Sequence, residues 1–229
     1  MFRRVLIANR GEIALRILRS LRSLDIEVVI IYGKEDRLSL PVRLADEAIF
    51  IPREDPLASY LDIEEIVKIS KEVGVDAIHP GYGFLAENST FARRLEEEGI
   101  KFIGPDSNVL RLLGDKISAR EIMSKAGLPI AKGTNEPVLD VKHATEISKE
   151  IGFPLIIKAA AGGGGIGMQV VTKESEFSSA LTLCQGRALS AFGDGRVFIE
   201  KFIEDAQHIE FQILGDEENA VYFDPNDFQ

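Results

Sequence analysis

The sequence lacks, or has few of, several residue types and segments that are typical of particular protein classes. It has no tryptophan and a single cysteine, Cys184, so a disulfide within the chain is excluded and a buried thiol is expected. No apolar run approaches the ~20 residues of a membrane span. The apolar run near the start is also too short for a secretory signal, so a cytoplasmic location is predicted.

Positive charge is scarce as well. The chain has 37 acidic and 27 basic residues, and its net charge is -10. This balance argues against nucleic acid or an anionic membrane as the main partner, because both require a basic surface. With 45% hydrophobic residues among 229, the composition is that of an ordinary globular protein with material for a buried core.

The first half of the chain alternates between short apolar runs and amphipathic segments. The predicted strands lie at residues 4–8, 27–32, 48–51, 75–79 and 101–104. Helical spacing occurs at residues 12–24, 62–74 and 88–99, and the last two of these segments end in glycine. Apolar strands alternating with helices predict a doubly wound α/β domain with a parallel, Rossmann-like sheet over residues 1–113.

The pattern changes after residue 113. Helices are predicted at residues 114–129, 141–152 and 175–191, and strands at 154–160, 168–173 and 196–203. Two further strands surround the turn sequence GDEEN, which indicates a hairpin. This region is therefore predicted to be α+β with antiparallel pairing.

Four consecutive glycines follow the best strand candidate, in KAAAGGGGIGM at residues 158–168. Glycines allow backbone N–H groups to approach phosphate oxygens closely, although ordering them costs entropy. The segment has neither a P-loop nor a dinucleotide-binding fingerprint, since its lysine precedes the glycines. A mobile hairpin over a polyphosphate, with Lys158 as its cationic partner, is favoured over a surface hairpin without function.

Six strings in this order resemble biotin carboxylase, the ATP-grasp subunit or domain of acetyl-CoA, propionyl-CoA and pyruvate carboxylases. They are IANRGEIALRI (7–17), AIHPGYGFLAEN (77–88), FIGP (102–105), GDKISA (114–119), KAAAGGGGIGM (158–168) and EKFI (200–203). The first two strings are the specific ones, because other ATP-grasp enzymes share the fold without them. The resemblance implies an N-terminal domain at residues 1–113, an ATP-grasp flap domain at 114–203 and the start of a C-terminal lobe at 204–229.

The resemblance also implies an ATP site. In the family, lysines at two matching positions hold the phosphates, two flap glycines cover them, and a hinge between flap and body contacts adenine. A histidine lies near the sugar and phosphates. The matching residues here are Lys116, Lys158, Gly164, Gly165, Glu200, Lys201, Phe202, Ile203 and His208.

A second implied site is the loop that follows the strand at residues 75–79. The resemblance puts His79, Gly81, Tyr82 and Gly83 beside the biotin and bicarbonate region, although a purely structural loop is an equal alternative. For Arg10 and Gly11, at the first strand-to-helix turn, a structural role is favoured.

The family reaction uses ATP with Mg²⁺ or Mn²⁺. Bicarbonate is phosphorylated to carboxyphosphate, and biotin on a carrier protein is then carboxylated. The implied partners are the biotin carboxyl carrier, a carboxyltransferase and, when the enzyme is complete, a second copy. The acyl-CoA or keto-acid acceptor is not encoded in this portion.

The sequence departs from the family at its flap and at its end. A family glycine is Ala161, and two family arginines are replaced by Ile166 and Gln169, so tight ATP binding is in question. The family's catalytic and metal-binding residues belong to a C-terminal lobe expected beyond Gln229, and FDPNDFQ replaces the expected strand. We therefore expect an incomplete biotin carboxylase, inactive alone. The alternatives are a non-catalytic relative that binds nucleotide or a carboxylase subunit, and another ATP-grasp ligase acting on a different acid.

Overall fold

The computed structural model describes residues 2–223 except 135, 139, 161–166, 208, 210 and 217, and excludes the side chains of Lys116 and Phe192. The chain divides into two compact units, Met1–Pro129 and Ile130–Gln229. Within the described residues, no helix combines the length and the apolar character that crossing a membrane requires.

The first unit contains a five-stranded, all-parallel sheet. Its strands are β1 (Arg4–Ile7), β2 (Glu27–Tyr32), β3 (Glu47–Phe50), β4 (Ala77–His79) and β5 (Lys101–Phe102), in the order β3-β2-β1-β4-β5. Its helices are α1 (Gly11–Ser23), α2 (Leu40–Leu44), α3 (Ile63–Glu72), α4 (Ser89–Glu97), α5 (Ser107–Gly114) and α6 (Lys116–Lys125). Short 3-10 turns lie at Lys34–Asp36 and Ala58–Tyr60.

Alternate residues of the central strands point to opposite faces of this sheet, and each face has its own apolar layer. Val5 and Ile7 of β1 pack with one face of α1, whereas Leu6 packs in the layer that includes residues of α3 and α4. Both layers are buried, so the prediction of a doubly wound sheet is confirmed.

Two helices of this unit were not predicted. The helix α5 follows Asp106, whose carboxylate accepts a hydrogen bond from the Val109 N–H at 2.9 Å. An acidic cap before the apolar sequence VLRLL is a recognisable helix start, and the glycines that flank this stretch obscured it. The other helix, α2, spans only five residues, which is too short for a periodic pattern.

The second unit has a three-stranded antiparallel sheet in the order β7-β6-β8. Its strands are β6 (Leu155–Ala159), β7 (Met168–Val171) and β8 (Val197–Lys201). The helices α7 (Val141–Ile151) and α8 (Glu174–Phe192) share one apolar core with this sheet. The predicted hairpin is also present, formed by β9 (Gln212–Gly215) and β10 (Ala220–Phe223). The α+β prediction is thus confirmed.

Cys184 lies on α8 inside the core of the second unit and is fully buried, as expected. This burial raises the pKa of the thiol. The compact units divide between Pro129 and Ile130, and α6 lies in the first of them. The three-domain division at residues 113 and 203 stays a prediction.

Candidate functional site

Two predicted nucleotide-site residues contact each other in the second unit. Lys158 in β6 and Glu200 in β8 lie on adjacent antiparallel strands, and the Lys158 Nζ is 2.5 Å from the Glu200 Oε2. The side chain of Lys158 is 28% exposed and that of Glu200 is 11% exposed. The Lys158 ammonium also lies 5.9 Å from the centre of the Phe198 ring. The sheet therefore fixes the position of the partly buried Lys158 ammonium.

The strand register explains why these side chains meet. Ile157 of β6 and Ile199 of β8 belong to the apolar core that the sheet shares with α7 and α8. Because successive side chains alternate between faces, Lys158 and Glu200 project from the opposite face. The pairs Lys158 with Phe198 and Ile156 with Glu200 make the ion pair a diagonal contact between the two strands.

A backbone segment lies close beside Glu200. The Thr134 N–H donates to the Ile199 carbonyl at 2.8 Å, and the Thr134 Oγ1 accepts from the Ile199 N–H at 3.1 Å. A Cβ on Gly133 would stand 2.5 Å from the Ile199 oxygen and 3.1 Å from the Glu200 Cα. Only glycine permits this approach, which fixes the strand that carries Glu200.

The residues after Glu200 use most of their polar groups within the unit. The Lys201 N–H donates to the Lys132 carbonyl at 2.7 Å, and its Nζ donates to the Phe153 carbonyl at 2.9 Å. The Phe202 N–H donates to the Pro154 carbonyl at 3.2 Å. Ile203 is 61% exposed, and its N–H bonds to none of the described residues. Among the described residues, the Lys201 and Phe202 amides therefore have acceptors, whereas the Ile203 amide has none.

Several predicted nucleotide-site residues cannot be located. Gly164, Gly165 and His208 lie outside the described residues, as do the departures Ala161 and Ile166. Lys116 is the first residue of α6, and its side chain is also outside the description. Gln169 lies in β7 opposite Ile157.

The second predicted site lies in the first unit, where β1 and β4 end. Chain connections on the two sides of β1 run in opposite directions, so this edge is a switch point, the usual ligand position in an open parallel sheet. Asn9 is 2% exposed, and its amide nitrogen donates to the carbonyls of Pro80 at 2.7 Å and Tyr82 at 2.8 Å. Sequence reasoning missed this clamp, which holds the predicted loop in place.

The loop presents the Tyr82 side chain to solvent. Tyr82 is 61% exposed, and its hydroxyl donates to the Glu12 carboxylate, which raises the pKa of the tyrosine. The His79 Nδ1 accepts from the Gly81 N–H at 3.1 Å, and burial lowers the pKa of this histidine. Gly81 and Gly83 both have a φ of 66°, in the left-handed region.

The first unit also contains a second polar cluster, and this one was not predicted. Arg10 donates from its Nε and Nη2 to the two carboxylate oxygens of Asp36, at 2.7 and 2.9 Å. The hydroxyl of Tyr60 donates to the same carboxylate at 2.7 Å and accepts from the Gly33 N–H at 3.2 Å. Asp36 and Tyr60 are far apart in sequence from Arg10, so no local spacing could identify the cluster. These bonds support the structural role favoured for Arg10.

No metal centre accompanies these sites in the part of the chain that the structure describes. That part holds no group of three or more His, Cys, Asp or Glu side chains with a suitable arrangement for a metal ion. The described residues contribute a placed cation, Lys158, and a buried carboxylate, Glu200.

Two families match the chain along most of its length. Residues 1–110 match the family described as biotin carboxylase, N-terminal domain. Residues 115–226 match the family described as carbamoyl-phosphate synthase L chain, ATP binding domain.

Individual relatives give the same result. Biotin carboxylase of Halalkalibacterium halodurans is 48% identical over 96% of this chain and 49% of its own length. The small subunit of 2-oxoglutarate carboxylase from Hydrogenobacter thermophilus is 48% identical over 96% of this chain and 47% of its own length. The chain thus spans about half the length of these curated relatives.

The fold is shared with solved structures. One is the biotin carboxylase domain dimer of Hydrogenobacter thermophilus 2-oxoglutarate carboxylase, in complex with MgADP, ADP and bicarbonate. It is 47% identical, with a TM-score of 0.94 over 97% of this chain and 49% of that chain.

Proposed function

Because the chain belongs to the biotin carboxylase family, we propose that it is the nucleotide-binding front portion of an ATP-dependent biotin carboxylase. The complete enzyme phosphorylates bicarbonate to carboxyphosphate and carboxylates biotin on a carrier protein. One observation carries the proposal: the similarity at a TM-score of 0.94 to a domain solved with MgADP, ADP and bicarbonate. Residues 1–113, 114–203 and 204–229 are assigned as N-terminal domain, flap domain and start of the C-terminal lobe.

In this proposal the phosphates of ATP are bound by lysines and by flap amides. Lys158 and Lys116 hold the phosphates, Gly164 and Gly165 cover them, and His208 lies near the sugar. The contact of Lys158 with Glu200 supports its role, since an ammonium has three donors and can bind a phosphate oxygen while it keeps this carboxylate. Such charge-assisted hydrogen bonds are the strong ones.

The hinge Glu200, Lys201, Phe202 and Ile203 holds adenine. The Lys201 and Phe202 amides already donate to carbonyls of the chain, so the Ile203 N–H is the amide that we assign to the base. Glu200 is positioned by the segment at Gly133 and keeps Lys158 in place. In the first unit, we assign the loop of His79, Gly81, Tyr82 and Gly83 to the biotin and bicarbonate side.

Magnesium or manganese would accompany ATP and neutralise phosphate charge. The described residues offer no metal-binding group, so we derive no step through the ion from this portion of the enzyme. What the chain supplies is electrostatic: a partly buried lysine held by Glu200, and a charge fixed in position stabilises a moving phosphoryl group more than mobile water does.

The further assignments concern partners and location. We propose a biotin carboxyl carrier and a carboxyltransferase as partners, a homodimer for the complete enzyme, and a cytoplasmic location without nucleic acid or membrane as partner. In this proposal the carboxyltransferase determines which carboxyl acceptor is used.

A second candidate function is a non-catalytic relative that binds nucleotide or a carboxylase subunit. The observation that favours it is the altered flap, where Ala161, Ile166 and Gln169 replace a glycine and two arginines of the family. An intact mass well above 25.3 kDa for the natural protein would favour the enzyme, whereas a mass near this value would favour the second candidate.

Calorimetric titration of this chain with MgATP tests the nucleotide site. We expect weak binding, which Lys158→Ala weakens about 10- to 100-fold because one charge-assisted hydrogen bond is lost. Lys173→Ala is the matched control, since Lys173 is exposed at the start of α8. A chain that binds no MgATP at millimolar concentration, or equal losses in both variants, would contradict the assignment.

The same preparation tests whether the chain acts alone. We expect no biotin-dependent ATP hydrolysis by the 229 residues. Turnover with free biotin that Lys158→Ala abolishes would overturn this expectation.

A further inference from the structure

Two consecutive helices of the first unit begin with the same arrangement of polar residues. The helix α4 begins in NSTFAR (88–93), and α5 begins in DSNVLR (106–111). In each case a capping side chain is followed by a serine at the first helical position and by an arginine one turn later. Residues four positions apart lie on the same side of a helix, so Ser89 lies beside Arg93 and Ser107 beside Arg111.

The fold brings these two helix starts together. The strands β4 and β5 are neighbours in the parallel sheet, and α4 and α5 follow their carboxyl ends. The start of α5 is also tied to α4, because the Ser107 N–H and hydroxyl donate to the Glu96 carboxylate at 2.9 and 2.7 Å. Both starts therefore lie at the carboxyl edge of the sheet, where ligands of open α/β folds bind.

A small cavity is lined by residues of both helix starts. Its volume is about 220 Å³, below the roughly 300–1,000 Å³ of pockets for drug-sized ligands, so it suits a small ion or metabolite. It is lined by Ser89, Thr90, Arg93, Ser107, Asn108 and Arg111. These six residues include two cations and no carboxylate, and the other four carry hydroxyl or amide groups.

Neither arginine is tightly paired within the part of the chain that the structure describes. Arg111 is exposed and makes no ion pair or hydrogen bond with any described residue. The Arg93 Nε lies 3.9 Å from the Glu97 carboxylate, and both side chains are more than half exposed. The other oxygen of Glu97 accepts from Arg94 at 2.9 Å, so this carboxylate is shared. Two like charges thus line one cavity, and an anion between them would remove their mutual repulsion.

We propose that this cavity binds a small dianion of the phosphate type, either inorganic phosphate or the phosphoryl end of a small metabolite. Two cations favour a dianion over a monoanion, and a guanidinium matches two phosphate oxygens with parallel N–H donors. Ser89, Thr90 and Asn108 add neutral donors, whereas the donors of Ser107 are held by Glu96. None of these residues belongs to the proposed nucleotide site, so the inference does not depend on that site.

Phosphate titration of the full 229-residue chain, followed by ¹H–¹⁵N NMR spectra, tests the proposal. At a constant ionic strength set with sodium chloride, inorganic phosphate should shift the amide signals of residues 89–90 and 107–108 saturably, with a Kd of about 1 mM or below. The titration is repeated with glycerol phosphate to distinguish the two sources. A monoester that binds at least as tightly as inorganic phosphate indicates a metabolite, and weaker binding of the monoester indicates the free ion.

Three substitutions make the test specific. Arg93→Gln and Arg111→Gln each remove one cation, and each should weaken phosphate binding about 10- to 100-fold because a charge-assisted hydrogen bond is lost. Arg37→Gln is the matched control, because Arg37 is an exposed arginine of the same unit that does not line the cavity. It should leave the Kd within about twofold. All three side chains are exposed, so none of the variants is expected to unfold the chain.

Two results would overturn the proposal. One is the absence of a saturable shift at residues 89–90 and 107–108 up to about 20 mM phosphate. The other is equal weakening in Arg37→Gln and in the two cavity variants, which would show that phosphate responds only to the net charge of the chain.

Discussion

The two units each contain a half-buried ion pair, Arg10–Asp36 in the first and Lys158–Glu200 in the second. The two carboxylates are equally shielded, with 11% of each side chain exposed. Arg10 binds both oxygens of Asp36 through its planar fork, and the Tyr60 hydroxyl adds a third bond. Lys158 reaches Glu200 as a single charge at the end of a flexible stem.

This difference separates a cation that is held in a fixed two-point geometry from one that is held through a single contact. A bidentate guanidinium with a buried phenol fixes three elements relative to each other. An ammonium keeps two further donors for an incoming anion. Equal burial of the carboxylate therefore does not imply equal roles, and the geometry of the cation, a fixed fork or a rotatable single charge, is the better guide.

Removing Asp36 should give the largest effect on stability. In Asp36→Ala the Arg10 guanidinium and the buried Tyr60 hydroxyl lose their shared acceptor. We expect the free energy of unfolding of the first unit to fall by about 2–4 kcal/mol, measured by urea-dependent hydrogen exchange at residues 27–32. Glu35→Ala, at an exposed neighbour in the same turn, should change it by less than about 0.5 kcal/mol. Similar losses in both variants would remove the structural role of the Arg10 pair.

A smaller loss of stability is expected when the backbone segment beside Glu200 is displaced. In Gly133→Ala the new Cβ meets the Ile199 oxygen at 2.5 Å, so the segment must shift away from β8. We expect a loss of about 1–3 kcal/mol in the second unit, from hydrogen exchange at residues 197–201. Gly186→Ala is the matched control, because nothing lies within 4 Å of its Cβ inside α8, and it should stabilise by about 0.5–1 kcal/mol. Equal behaviour of the two variants would show that the Gly133 segment does not support Glu200.

A feature could be predicted when the residues that specify it lie close together in the sequence. The apolar runs and helical spacing are local, so the doubly wound sheet, the antiparallel unit and the hairpin were all predicted. Lys158 and Glu200 were each predicted from their strings, but the contact between them depends on the register of β6 and β8, which no string contains. The strand pattern near Glu200 likewise gave no sign that Gly133 lies against it.

The cluster around Asp36 was missed for a related reason. Its members come from the end of β1, a 3-10 turn and a second 3-10 turn, and neither turn has a periodic pattern. Asn9 was inside a recognised string, yet its role depends on the carbonyls of Pro80 and Tyr82, about 70 residues away. Such contacts are decided by the strand order, which places β1 beside β4.

The stability of the two ion pairs should also differ in its pH dependence, because only the carboxylate of the first pair accepts a hydrogen bond from a tyrosine. Burial of Tyr60, followed by its hydrogen bond to Asp36, raises the pKa of this hydroxyl above the unfolded value of 10.0. A raised acid pKa means that the folded state keeps a proton which the unfolded state loses above pH 10. The stability contribution is therefore full below pH 10 and is lost as the pH rises toward the folded pKa.

We expect the first unit to lose about 1.4 kcal/mol between pH 9 and pH 11 from this group alone. Urea unfolding at both pH values measures it, with Tyr60→Phe as the variant in which this part of the loss disappears. An identical pH response in the variant would mean that the Tyr60 hydroxyl does not share in the stability of the pair.

Neutralising the second pair should give the smallest change in stability. In the double variant Lys158→Met, Glu200→Gln both charges are removed together, so neither member of the pair is left charged without the other. Replacing both partners of a buried pair is often nearly neutral, because the desolvation of two charges offsets most of their attraction. We expect a change of less than about 1 kcal/mol in the second unit, measured by hydrogen exchange at residues 155–159.

The corresponding double variant of the first pair, Arg10→Met with Asp36→Asn, should lose more, since the Tyr60 hydroxyl, which accepts from the Gly33 N–H, remains arranged to donate to a carboxylate. If the Lys158 and Glu200 variant instead lost 2 kcal/mol or more, this pair would be structural in the same sense as Arg10–Asp36. If it kept its stability and lost MgATP binding, the ammonium would be placed for a ligand, and its carboxylate partner would serve to hold it there.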